Sequence, residues 1–398
     1  MLSARTKAGK KISLGYPYKK ETLLYFRSKE EFFCPICGEK VYLKLGEQKI
    51  FHFAHRSGGA CREFYENETE YHMDGKLQLY RWLKKQKIDA VLEYYDKDIK
   101  QRPDIAFQVN DQKFALEFQC SSLPEKSFQK RTDQYLQKGY MPLWILGANH
   151  LKESQPGAIS LNSFQYLFLR ENADRHMFLP FFSPEQSRFI VLSSIFPYTT
   201  KYTLVQKSEY RLQQLNWQSI VNPEIQPAVN PGLWKTRADS HQWNWCMYPG
   251  KEQKKFLDEL YLNRLNPFLL PVEIGLPVPH GVLFHTLPFV WQTYFYLDVL
   301  FHKHPGELIA PEEIKSSFVK RIAAGQLTVR ITPQIADDCI FVAAKEYLFL
   351  LEKLGRITFL QNGYFRVIDP FIIPKTNSEK EAIWKKFATL KWWNLVKG

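Results

Sequence analysis

Three groups of residues in this sequence have types and spacings suited to chemistry. The first is Cys34-Pro-Ile-Cys37-Gly, then His52-Phe-Ala-His55 after 14 intervening residues, with Cys61 close behind. A CxxC followed by glycine forms a tight knuckle that aims two thiolates at one point. His52 and His55 can then complete a tetrahedral structural Zn²⁺ site, with Cys61 able to replace either histidine as fourth ligand. The plainer reading is a reduced cysteine pair in a turn. The second group is Pro103-Asp104 at the start of one strand and Glu117-Phe118-Gln119 in the next, with 12 residues between Asp104 and Glu117. Two carboxylates on one face of a small sheet repel unless a divalent cation sits between them. Hard oxygen ligands suit Mg²⁺ or Mn²⁺, which can bind a phosphate oxygen and polarise an attacking water. That is a phosphodiesterase site in outline. Gln119 stands where a lysine usually would; it can orient water but carries no charge.

The third group lies on a helix. Glu68, His72 and Lys76 recur every four residues and so share one face. If that face abuts the carboxylates, Glu68 is an additional ligand, His72 a ligand or base, and Lys76 the missing cation. Taken alone, the same stripe reads as a solvated row of i,i+4 pairs.

Elements must hold these groups in place. Residues 1–65 alternate short strand-like runs (KISLGYP, LLYFRS, KVYLKLG, KIFHFAH) with turns and read as a small β-rich, zinc-ribbon-like module, which a bound zinc would help to keep folded. A helix over 68–85 follows, ending in lysines that suit its C-terminus. The period then changes to two: AVLEYY, PDIAFQV, a turn at Asn110-Asp111, and KFALEFQC. Alternation puts Phe114, Leu116 and Phe118 on one face, with Ala115, Glu117 and Gln119 on the other, and pairing brings Asp104 onto the same surface as Glu117. A helix over 124–138, stopped at Gly139, leads to the buried strand PLWILG. The order αβββαβ makes residues 66–150 one α/β domain. Residues 151–240 read as a mixed linker or accessory region containing strand-like RFIVLSSIF and KYTLVQK. Residues 241–398 read as mostly helical. There, AAKEYLFLLEKLG, RITFLQ, an Asn362-Gly363 turn and YFRVID resemble the recognition helix and wing of a winged-helix fold.

RPDIAF, FALEFQCSSLP, the RTDQY helix and PLWILG, with HFAH and ETEYHMDGK upstream, resemble the competence protein CoiA family. The resemblance is specific over about the first 150 residues and vaguer beyond. It implies a restriction-endonuclease-like PD-(D/E)XK nuclease domain and a role in natural transformation, acting on incoming single-stranded DNA or recombination intermediates. It further implies that glutamine in the third position, here Gln119, is a feature of this branch. A non-catalytic DNA-binding adaptor that keeps the nuclease fold as a platform to promote recombination is the rival reading. Recombination or uptake proteins would meet the C-terminal region.

Composition agrees with these expectations. The 398 residues carry 54 Lys+Arg against 41 Asp+Glu, a net charge of +13, and are 45% hydrophobic. Such a chain builds full cores, which excludes general disorder and a small disulfide scaffold. Its excess of positive charge favours a polyanionic partner. No segment reads as a secretory signal or membrane span, so the expected location is cytoplasmic. Cys120, Trp243, Trp245, Cys246, His280 and His285 read as core or interface. The lysine-rich C-terminus, with Trp392 and Trp393, reads as a solvated or docked helix.

Overall fold

Alternate side chains of Lys40–Lys44 are buried, with Val41 and Leu43 inside and Tyr42 out. That is the pattern of a strand with one face on a core. This strand belongs to a five-stranded sheet in the order β2-β1-β3-β4-β5. Its members are β1 (Ser3–Thr6), β2 (Lys11–Ser13), β3 (Phe32–Phe33), β4 (Lys40–Lys44) and β5 (His52–His55). Between β2 and β3 lies a helix, α1 (Lys20–Lys29). It replaces the strand expected at LLYFRS. The reason lies in the flanks: Glu21 in the first turn and Arg27 and Lys29 in the last complement the helix dipole. The computed structural model describes residues 1–47, 49–56, 68–336 and 339–390. The chain divides into two compact units, one of Met1–Leu151, Leu179–Val191 and Ser208–Pro223, the other of Lys152–Phe178, Leu192–Lys207 and Glu224–Gly398.

The first unit continues with α2 (Glu70–Lys85), β6 (Ala90–Leu92), β7 (Ile105–Val109), β8 (Gln112–Gln119), α3 (Glu125–Gln137) and β9 (Tyr140–Gly147), the expected αβββαβ order. The Thr69 side chain caps α2 by accepting the His72 amide, and Leu77, Tyr80, Trp82 and Leu83 are buried along it. Strands β6, β7 and β8 pair antiparallel, with a two-residue turn at Asn110-Asp111 between β7 and β8. Asn110 takes a positive φ of 51° there, as such a tight turn requires. Strand β9 runs parallel to β8, from Lys113↔Tyr140 to Gln119↔Leu146. A parallel pair needs a crossover, which α3 supplies. Gly75 lets α2 lie close on the sheet, because a Cβ there would fall 2.0 Å from the Phe118 ring.

Residues 151–240 are far from featureless. They hold β10 (Lys152–Gln155), β11 (Ala158–Ser160), α4 (Ser163–Tyr166), β12 (Arg170–Glu171), β13 (Met177–Ser183), β14 (Arg188–Pro197), β15 (Tyr202–Arg211) and α5 (Trp217–Val221). In the first unit, Phe181 and Phe182 of β13 pair parallel with Leu146 and Gly147 of β9. In the second, β11 pairs with both β10 and β15. The helices α6 (Pro231–Met247) and α7 (Lys251–Leu262) precede α8 (Pro288–Phe295). Then come β16 (Leu308–Ile309), α9 (Pro311–Ala323), α10 (Cys339–Lys353), β17 (Ile357–Phe359), β18 (Phe365–Val367) and α11 (Asn377–Thr389). The three short strands form one sheet in the order β16-β18-β17, and Asn362 and Gly363 at its turn both have positive φ. Trp291, Phe284, Phe318 and Tyr347 pack in the core beneath. Among the described residues no helix is long and apolar enough to cross a membrane.

Candidate functional site

The helix stripe meets Asp104. His72 Nε2 lies 3.1 Å from Asp104 Oδ2, and Lys76 Nζ lies 3.3 Å from Oδ1. Lys76 is wholly buried and also reaches Glu68 Oε1 at 2.6 Å and Glu93 Oε1 at 2.9 Å. The Phe118 amide donates to Asp104 Oδ2 at 2.9 Å, which fixes the carboxylate against β8. Burial by itself would raise the Asp104 pKa; the charges of Lys76 and His72 more than reverse this and hold it well below the usual carboxylate range. The same opposition depresses Glu68 and Glu93, again with Lys76 as the main favourable charge. Lys76 is in turn raised: burial opposes its charge, and the three carboxylates win.

Glu93 and Arg102 complete this cluster, and neither was marked by spacing or motif. Arg102 stands 3.8 Å from both Glu68 and Glu93. Glu93 takes a positive φ of 49° and accepts the backbone amides of Leu2 and Ser3, so strand β1 closes over the site. The Met1 nitrogen lies 2.9 Å from Glu68 Oε2. Three carboxylates therefore face Lys76, Arg102 and that nitrogen.

Glu117 does not share this surface. Ile105↔Leu116 pairing sets Glu117 across the ladder from Asp104, yet the two carboxylates engage different helices. Glu117 accepts from Arg131 Nη2 at 2.5 Å and from the Tyr135 hydroxyl, both on α3. The expectation of one shared face fails because Asp104 precedes the regular strand and turns to α2, whereas Glu117 keeps the alternation that sends Phe118 to α2 and itself to α3. Gln119 donates from Nε2 to the Ser121 carbonyl at 2.9 Å.

In the N-terminal sheet, Cys34, Cys37 and His55 bring one ligand atom each within 4.8 Å of one another. Gly38, at φ +73°, lets the knuckle turn, and the Ile36 amide points at Cys34 Sγ from 3.5 Å. Cys37 Sγ lies 3.4 Å from His55 Nε2. Burial lowers the His55 pKa and so favours the neutral imidazole that ligates metals. His52 stays out of the cluster. Because HFAH is a strand, residues three apart fall on opposite faces, and His52 Nδ1 instead contacts the Ile50 carbonyl at 2.8 Å. Cys61 lies outside the described residues.

Comparison with known proteins places these sites in families. Residues 16–64, 68–225 and 232–383 match, in turn, the competence protein CoiA N-terminal, nuclease-like and C-terminal domains. The competence protein CoiA of Bacillus subtilis (strain 168) is 30% identical over 344 residues, spanning 86% of this chain and 91% of that protein. The chain belongs to the competence protein CoiA family. No solved structure gives a significant match. The CoiA nuclease-like match begins at Glu68, so the whole Asp104 cluster except the strand that closes it falls inside that domain. The CoiA N-terminal match contains Cys34, Cys37 and His55. In the CoiA C-terminal match, His280 sits between carboxylates, 2.5 Å from Glu346 and 3.1 Å from Glu171. Burial works against charge on His280, and the two carboxylates outweigh it and raise its pKa.

Proposed function

We propose that this CoiA-family protein is a DNA-processing nuclease that hydrolyses phosphodiester bonds with metal assistance during natural transformation. The observation that carries the reading is the half-buried carboxylate of Asp104, 3.3 Å from a fully buried Lys76 on the first helix of an αβββαβ domain. The lysine absent at Gln119 is thereby supplied from α2. Asp104 and Glu68 offer the hard oxygen donors that Mg²⁺ or Mn²⁺ takes, so the donor chemistry fits such an ion. We assign Asp104 and Glu68 as the ligands on the α2 side, and Glu117, which faces α3 in this structure, as a third that would have to turn to that side. Such an ion would polarise a phosphate oxygen and acidify water. Lys76 neutralises charge beside Asp104, His72 can exchange a proton at Nε2, and Gln119 orients water. Glu117 takes its part only on leaving Arg131 and Tyr135.

One observation favours the rival reading, a DNA-binding adaptor for recombination. The cluster's three carboxylates are already balanced by cations of the chain itself. A divalent ion has to displace one of them, so its binding is weak. The partner is then DNA, single-stranded or a recombination intermediate. The α10–β17–β18 end reads as winged-helix-like, but its exposed rings Phe349 and Phe359, 5.7 Å apart, suit a protein partner better than a phosphate backbone.

At the N-terminal module we assign a structural Zn²⁺ to Cys34, Cys37 and His55, with Cys61 as fourth ligand. The working location is the cytoplasm, where incoming DNA is processed. The deciding experiment is cleavage of labelled single-stranded, duplex and branched DNA with Mg²⁺ or Mn²⁺, comparing the protein with Glu117→Ala. The nuclease reading expects metal-dependent products that fall at least about 100-fold in the variant. Cleavage by neither protein, with DNA still bound, leaves the adaptor reading.

A further inference from the structure

Helix α1 is a poor fit to a purely structural role. Of its ten residues only Leu23 is buried, so it gains little from packing. It nevertheless displays aromatic rings to solvent. Tyr25 is 61% exposed, and Tyr16, just before the helix, is 56% exposed. These two are the ends of a continuous row. Ring centroids run Tyr16–Tyr18 6.2 Å, Tyr18–Phe26 5.7 Å and Phe26–Tyr25 6.4 Å. The row is anchored to the nuclease-like domain, because Gly15 lies so close to Tyr80 of α2 that a Cβ would fall 2.5 Å from its ring.

Charge around the row is mostly positive. Residues 1–56 contain 12 lysines and arginines against five glutamates and no aspartate. Lys19, Arg27 and Lys29 are exposed next to the rings in sequence, while Glu21 and Glu30 sit at the two ends of the helix. Exposed aromatics interleaved with cations are the composition of a stacking platform: rings accept unpaired bases, and lysine and arginine follow the phosphates. Duplex DNA offers no free base faces to such a row.

We propose that Tyr16, Tyr18, Tyr25 and Phe26, with Lys19, Arg27 and Lys29, form a binding surface for single-stranded DNA on the N-terminal module, separate from the Asp104 cluster. The proposal rests on the DNA-processing reading for the choice of DNA as polyanion, and it stands apart from whether the Asp104 site cuts.

The test is fluorescence anisotropy of a labelled oligothymidine of about 20 nucleotides, with the full chain and no added divalent ion, at about 0.05 M and about 0.2 M salt. Tyr16→Ala/Tyr25→Ala should weaken binding by about 10-fold or more, while Tyr25→Phe, which keeps the ring, binds as the parent does. Arg27→Gln/Lys29→Gln should flatten the salt dependence. Both tyrosines are exposed, so the double variant should melt with the parent. Unchanged affinity in the double alanine variant, equal competition by duplex, or a shift confined to self-association would each overturn the proposal. The nuclease reading fails on a different readout: Asp104→Asn that cleaves as its parent does would overturn it without changing this binding, whereas loss of binding only in Asp104→Asn would put the strand in the Asp104 site instead.

Discussion

Lys76 shows how much a single residue can organise. Its ammonium is fully buried and touches three carboxylates, and a buried charge of this kind is tolerable only while its partners stay ionised. The folded-state pKa values of Asp104, Glu68 and Glu93 are depressed. Their contribution to stability is therefore complete above the unfolded values near about 4 and is lost as pH falls from there through the folded values. Glu93 ties down strand β1 through the Leu2 and Ser3 amides. Protection factors for those two amides in hydrogen exchange should thus drop as the pH falls below about 4, ahead of the amides of β8. Simultaneous loss across the unit would contradict this role for Glu93. At the other residue cluster, Cys34→Ser should reduce bound zinc from about one ion per chain toward none, whereas His52→Ala should retain it. Elemental analysis of the purified variants decides, and equal zinc loss in both would restore His52 to the ligand set.

At the scale of elements, close contact between α2 and β8 is what delivers His72 and Lys76 to Asp104. Gly75 makes that contact possible. Gly75→Ala should shift the helix off Phe118, destabilise the fold by about 1–3 kcal/mol and lower any metal-dependent activity with it. A denaturant midpoint unchanged from the parent would show that the helix has room to spare. Most of this architecture was legible in the sequence: α2, the Asn110-Asp111 hairpin, α3 and β9 appear within a few residues of their expected bounds. Legibility ended where one local pattern served two structures. LLYFRS alternates well enough for a strand, but its terminal charges fit a helix. HFAH looked like a histidine pair able to meet one ion until its strand geometry set the rings on opposite faces. The turn of Asp104 toward α2 was not legible either, because the residue lies just before its strand, where period-two alternation no longer applies.

On the scale of the whole molecule, the family matches extend over most of the chain while the specific motifs lie in about its first 150 residues, and the charged groups concentrate where three sequence-distant pieces converge. Strand β1, helix α2 and the β6–β8 meander each contribute to the Asp104 cluster, and only tertiary structure could reveal Glu93 and Arg102 as members. Net positive charge is similarly uneven, gathered in the N-terminal residues beside exposed aromatics instead of around the carboxylates. On the proposed reading, such an arrangement would hold a strand at one place and act on it at another. The most direct check is the initial rate of DNA cleavage with Mn²⁺ for the parent and for Asp104→Asn, a variant that keeps the shape of the side chain and removes its charge. A fall of about 100-fold or more, with the melting transition still cooperative, is the predicted result. An Asp104→Asn protein that cleaves as fast as its parent would contradict the account.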